Sequence, residues 1–267
     1  MSEKVLLILV DGMRADSISA CGDPEFEGFM RSGTYSFQGK TVFPPVTLPC
    51  HMSLFHSVDP ERHGVYSNTY IQQNHPIDGL IEVLTAQRKK SGFFYTWEQL
   101  RDLYRPDSHM AYSWYMDQRF FVYPELKNIR EVEHRATEAA KENILEFAPD
   151  FVFLYLGGAD EYGHNRGWMS CDYLEEVRWA WRCIRDICAV LPEEYSVIIT
   201  ADHGGHLRNH GEDIPEDMTI PVSFHGPGFI PGRELGSFSI KDIAPTITDI
   251  LGVEPGIDWE GRSILRQ

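Results

Sequence analysis

Val5-Leu6-Leu7-Ile8-Leu9-Val10-Asp11-Gly12 is the stretch that decides the fold. Six apolar residues in a row, without alternation, read as a strand buried on both faces, as in a parallel sheet. A carboxylate follows at once. Two other stretches repeat the arrangement. Phe151-Val152-Phe153-Leu154-Tyr155-Leu156 leads to Asp160 and His164, and Val197-Ile198-Ile199-Thr200 leads to Asp202-His203, with His210 beyond. In an open α/β sheet, ligands gather in the crevice past the carboxyl ends of the strands. Carboxylates and imidazoles there form a donor set for divalent cations. Three strand ends so equipped predict a two-metal hydrolase.

Between these strands the periodicity predicts helices over about 47–57, 79–90, 131–147, 170–190 and 241–251, the last stopped by Gly252. Short strands are expected at 93–96 and 196–200, and an apolar run lies near 220–224. Strands alternating with helices of this length imply right-handed βαβ units. The expected fold class is α/β, with a mostly parallel central sheet and helices on both faces. No stretch reads as a linker, so residues 1–267 are expected to form a single domain. A cap or insertion is expected at about 69–130, where the pattern is broken and aromatic: Tyr104, Tyr112, Trp114, Tyr115, Phe120, Phe121, Tyr123. The aromatic run from Phe93 to Tyr123 is suited to stacking a base or an aryl leaving group, and equally to packing a cap onto the core.

The charge balance restricts the partners. With 24 Lys and Arg against 40 Asp and Glu, the chain carries a formal charge of −16. Nucleic-acid polymers and anionic membranes both call for a basic footprint and are not expected partners. A small phosphorylated substrate stays compatible, because bound cations reverse the local field. The five cysteines (Cys21, Cys50, Cys171, Cys183, Cys188) are odd in number and lack a CxxC pair, which fits a reduced protein. Met-Ser-Glu-Lys before six apolar residues is too short for a signal peptide or a membrane span. A cytoplasmic protein is expected.

Thr47 sits in Pro44-Pro45-Val46-Thr47-Leu48-Pro49-Cys50-His51, where a helix begins. Free N–H groups and the helix dipole favour a phosphate oxyanion at such a place. A hydroxyl nucleophile needs a base or a metal beside it to become an alkoxide. An N-cap role alone accounts for threonine there; the metal-ligand strand ends make it a candidate nucleophile. Asp160 and His164 are four residues apart, and Gly163 suggests a tight loop that lets them converge. Asp202-His203-Gly204-Gly205 pairs two donors with glycines that allow a sharp turn. Of the other histidines, His51, four residues after Thr47, is expected to pack or cap, with support of the site residues as the alternative, and His63 to end a short helix. His56, His75, His109 and His134 are expected at the surface, and Cys50 as a small buried residue.

Read together, these stretches resemble the alkaline phosphatase superfamily, and most closely its type I phosphodiesterase/nucleotide pyrophosphatase branch. The resemblance rests on Leu9-Val10-Asp11-Gly12, Phe43 to His51, Pro60-Glu61-Arg62-His63-Gly64-Val65 with Asn68, Asp160-x-x-Gly163-His164, and Ala201-Asp202-His203-Gly204 with Asn209-His210-Gly211. Asp242-Ile243-Ala244-Pro245-Thr246, Leu251-Gly252-Val253 and Gly261-Arg262-Ser263-Ile264-Leu265 resemble that superfamily's last helix and tail. The resemblance implies two divalent metals. One is held by Asp11, Thr47, Asp202 and His203, the other by Asp160, His164 and His210. It makes Thr47 the nucleophile, by way of a covalent phospho-threonine, and Asn68 a donor to a phosphoryl oxygen. His210 is preferred over the nearby His206 and His225 because Asn-His-Gly with Glu212 and Pro215 matches the family spacing. Mixed nitrogen and oxygen donors suit zinc, with manganese as the alternative.

Departures from the pattern narrow the expectation. The stretch between Asn68 and the second metal motif is short beside that of the nucleotide-cleaving relatives. Thr47-Leu48-Pro49-Cys50-His51 lacks the arginine of a sulfatase Cys/Ser-x-Pro-x-Arg motif. No counterpart is seen of the arginine that clamps a dianionic monoester in alkaline phosphatase. The expected activity is hydrolysis of phosphate diesters, or of related phosphoanhydrides or phosphonates. The alternatives are a phosphomonoesterase, a phosphoryl-transfer mutase, or a metal-binding protein without turnover.

Overall fold

A computed structural model describes residues 3–73, 75–104, 118–121 and 128–266, with the backbone alone at 102, 104, 118–121 and 266. Among the described residues the strands form one seven-stranded sheet, in the order β2-β7-β6-β1-β5-β3-β4. The strands are β1 (Lys4–Val10), β2 (Thr34–Lys40), β3 (Ser91–Tyr95), β4 (Gln118–Phe121), β5 (Phe151–Leu156), β6 (Tyr195–Thr200) and β7 (Thr219–His225). β6, β1, β5, β3 and β4 run parallel, whereas β7 is antiparallel to both β6 and β2. The sheet is therefore mixed, with a parallel centre.

Every residue of β5 and β6, and all of β1 after Lys4, is buried. Side chains alternate between the two faces of a strand, so complete burial means that both faces are covered. The main helices are α2 (Pro24–Ser32), α3 (Thr47–His56), α5 (Leu80–Ala86), α6 (Ile129–Phe147), α7 (Gly158–Arg166), α8 (Cys171–Cys188) and α10 (Ile243–Ile250). Single turns α1 (Ser17–Ala20), α4 (Pro60–His63) and α9 (Pro215–Met218) lie among them. No helix among the described residues is long and apolar enough to cross a membrane.

Part of the stretch read as an insertion belongs to the sheet. β3 pairs with β5 over Ser91–Phe94, and Phe93 packs against Phe55 and Phe153 in the core. Burial of Phe93, Phe94 and Tyr95 in that core leaves them unable to stack a substrate. Tyr112, Trp114, Tyr115, Tyr123 and His109 lie outside the described residues, as do the side chains of Tyr104, Phe120 and Phe121. Another expectation is corrected at His56. The ring is 5% exposed, and its Nδ1 lies 3.0 Å from the Met52 carbonyl one helical turn back, so it is a core residue.

Candidate active site

β1 lies between β5 and β6, and the registers Val10↔Leu156 and Leu9↔Thr200 bring the three carboxyl ends level. Asp11, the start of α7 and Asp202-His203 therefore emerge side by side. Gly12 turns the chain at φ +65°, and a Cβ there would lie 3.0 Å from the Asp160 Cα. Its bare backbone is what lets α7 approach β1. Asp160 and His164 stand one turn apart on α7, so the tight loop expected from Gly163 is replaced by a helix.

Two clusters result. In the first, the Asp11, Asp202 and His203 ligand atoms lie within 4.8 Å of one another, as do those of Asp160, His164 and His210 in the second. His203 Nε2 is 3.3 Å from Asp11 Oδ1, 3.5 Å from Asp202 Oδ2 and 3.2 Å from Thr47 Oγ1. In the second cluster, Asp160 Oδ1 is 3.6 Å from His164 Nε2 and 3.7 Å from His210 Nε2. The clusters adjoin: the His203 and His210 rings stack with centroids 3.9 Å apart.

The donor set fits divalent cations. Each imidazole points Nδ1 at a backbone carbonyl: His203 at Gly204 (2.8 Å), His210 at Pro45 (2.8 Å) and His164 at Arg208 (3.1 Å). A nitrogen facing a carbonyl carries the proton, so in the neutral ring Nε2 keeps its lone pair. The carboxylates are arranged likewise. Asp202 Oδ1 accepts the Gly12 and His203 N–H groups, and Asp11 Oδ2 accepts from the Tyr155 hydroxyl. The remaining oxygens, Asp11 Oδ1, Asp202 Oδ2 and Asp160 Oδ1, are buried without a hydrogen-bond partner. Lone pairs converging on lone pairs are stabilised by a cation placed between them.

Electrostatics point the same way. Burial, then the Asp202 and Asp160 charges, raise the Asp11 carboxyl well above the ordinary range. Burial brings Asp160 up to about 6, against the lowering influence of His210 and His164. Burial and His203 bring His210 down to about 4, keeping the ring neutral near pH 7.

Thr47 is the first residue of α3. Val46 takes the cap position and no side chain caps the helix, which corrects the N-cap expectation. The hydroxyl is instead directed at His203. Asn68 lines the cleft beside Thr47, and its Oδ1 accepts the Leu48 N–H at 3.0 Å. That cleft, about 230 Å³, is lined by Asp11, Thr47, Asn68, Trp97, Asp160 and His164 among others, with no Lys or Arg among its described lining residues. His51 does more than pack: its Nδ1 lies 2.8 Å from the Thr47 carbonyl and 3.5 Å from Asp202 Oδ2. His206 Nδ1 lies 2.8 Å from Asp217 Oδ1 and His225 Nε2 lies 2.8 Å from Ser223 Oγ, and neither belongs to a cluster.

Sequence reading did not find Trp168, Tyr155 or Tyr173. The Trp168 indole donates to the Gly12 carbonyl at 2.9 Å and fills the space that side chains at Gly163 and Gly205 would need. One ring thus locks α7 and the Asp202 loop together. Tyr173 donates to the same carbonyl at 2.9 Å. The only sequence signal for Trp168 was indirect, in the glycines it packs against.

A sequence model of the type I phosphodiesterase / nucleotide pyrophosphatase family matches residues 5–213, a span holding both clusters, Thr47 and Asn68. The chain belongs to this family. Its relatives in the family include human ectonucleotide pyrophosphatase/phosphodiesterase family member 7, 27% identical over 227 residues, covering 75% of this chain and 47% of that protein. A 2,3-bisphosphoglycerate-independent phosphoglycerate mutase of Bacteroides thetaiotaomicron is 25% identical over 140 residues, covering 51% of this chain and 27% of that enzyme. The chain thus spans about half the length of the first relative and about a quarter of the second. Among solved structures, murine ectonucleotide pyrophosphatase / phosphodiesterase 5 superposes with a TM-score of 0.75 at 16% identity, covering 97% of each chain. A 2-O GAG sulfatase superposes with a TM-score of 0.76 at 14% identity, covering 99% of this chain and 73% of the other. The family fold thus extends over essentially the whole chain.

Proposed function

We propose that this family member is a hydrolase of phosphate diesters, or of related phosphoanhydrides or phosphonates, acting through Thr47. One observation carries the reading: the Thr47 hydroxyl meets His203 Nε2 at 3.2 Å, where the unpartnered oxygens of Asp11 and Asp202 converge. Asp11, Asp202 and His203, with Thr47, would hold one divalent cation, and Asp160, His164 and His210 the second. Zinc suits these nitrogen and oxygen donors, with manganese as the alternative. When bound, such a pair supplies Lewis acidity to the attacking and leaving oxygens of an in-line displacement.

The chain's own groups do the rest. Thr47 Oγ1 forms a bond to phosphorus as the ester oxygen leaves with the bonding pair, and the hydroxyl proton passes through solvent to the departing alkoxide. Water then hydrolyses the phospho-threonine and restores the hydroxyl. The Asn68 amide nitrogen donates to a phosphoryl oxygen, since its carbonyl is committed to Leu48. The absence of Lys and Arg from the described cleft lining favours a monoanionic diester over a dianionic monoester. Similarity to phosphoglycerate mutases supports a second reading, a phosphomonoesterase or mutase on one catalytic domain. The cysteines among the described residues are all free, which supports a cytoplasmic setting.

Hydrolysis of bis-p-nitrophenyl phosphate against p-nitrophenyl phosphate, with and without chelator, decides between the readings. The diester should be cleaved faster, and chelation should abolish both rates. Faster monoester cleavage overturns the diester assignment.

A further inference from the structure

Glu133, on α6, is a buried carboxyl group that the proposed chemistry does not use. It is 1% exposed, and its Oε1 accepts the Gly158 N–H at 2.7 Å. Gly158 opens α7, the helix that carries Asp160 and His164. The residue before it is Gly157, and no side chain of α7's own caps the helix. A Cβ at Gly158 would stand 3.1 Å from Glu133 Oε1, so glycine is what allows this approach.

We propose that Glu133 is a positioning residue for the Asp160–His164–His210 cluster, capping α7 from a neighbouring helix and fixing where it presents Asp160. The inference rests on reading the two clusters as metal sites. Three contacts then locate α7. Its start is held by Glu133, its Asp160 turn lies against Gly12, and its Gly163 turn lies under Trp168. Without the carboxyl group the Gly158 N–H is left buried and unsatisfied at the first of these points. Burial brings the Glu133 carboxyl up to about 8, against the lowering effect of the Gly158 hydrogen bond. Around neutrality the acceptor is then mostly uncharged, and a glutamine can replace it.

The test is a stepwise calorimetric titration of metal-free protein with Zn²⁺, the second-cluster step being the one that His164→Ala removes. Glu133→Ala should weaken that step by roughly tenfold or more, the range seen when groups supporting metal ligands are removed. The other step should be unchanged, and Glu133→Gln should titrate like the wild type. Should Glu133→Ala fail to fold, Gly158→Ala, which presses a methyl group against the carboxyl oxygens, is expected to weaken the same step. Equal weakening of both steps in a folded variant, or none, overturns the inference. A wild type that binds no Zn²⁺ defeats the metal-site reading itself, and this inference with it.

Discussion

The two clusters use the same residue types but are built differently. Asp11, Asp202 and His203 are at most 2% exposed, sit directly on the ends of adjacent strands, and are held by backbone N–H groups and Tyr155. Asp160, His164 and His210 ride on a helix and a loop, and the His164 side chain is 40% exposed. The first cluster inherits its geometry from sheet register. The second depends on how α7 docks. Geometry fixed by a sheet is hard to loosen without unfolding the protein, whereas a docked helix can shift by fractions of an ångström.

On the proposed reading, chemistry belongs to the buried cluster and adaptability to the open one. The largest expected effect is therefore at Thr47: Thr47→Ala should reduce turnover by about 10³-fold or more, as loss of a nucleophile does. Its metal content by elemental analysis should stay unchanged. Equal turnover in that variant excludes the covalent route.

A smaller and more selective effect is expected from His164→Ala, which should lose one metal per chain and recover part of its activity in excess metal. Asp202→Asn should not recover in this way, because its carboxylate also anchors the Gly12 and His203 N–H groups. Identical rescue of both variants would erase the distinction between the clusters.

The smallest effect concerns pH. Glu133 is raised to about 8 in the folded chain, above its unfolded value. Its contribution to stability is complete below the unfolded value and is lost as pH rises through about 8. The thermal midpoint of metal-free protein should therefore fall more steeply between pH 6 and 9 in the wild type than in Glu133→Gln. Parallel pH profiles would place the titration elsewhere.

The parallel centre of the fold was legible because β1, β5 and β6 are uninterrupted apolar runs, and the Asp and His residues that follow them came with it. β2 was not read. Thr34-Tyr35-Ser36-Phe37-Gln38-Gly39-Lys40 is an edge strand with a shift in register between Ser36 and Gly39, which obscures its alternation. Gly163 misled the reading of α7, since glycine mid-helix normally costs stability. Here it makes room for Trp168. The sequence could suggest a capping role for Thr47, but only tertiary structure aims the hydroxyl at His203. Trp168, Tyr155 and Glu133 act across more than a hundred residues or between separate helices. No local pattern announces such contacts.

The position of β1 between β5 and β6 has a consequence for how this chain can vary. Asp11 follows Val10 without an intervening loop, so the strand works as a ruler whose length, counted in residues, sets the carboxylate's depth. Deleting or inserting one residue within Lys4–Val10 would swap the side chains on one side of the change to the opposite face of the sheet. Substitution among Val, Ile and Leu there is mild by comparison. Length, more than identity, is what this segment has to keep.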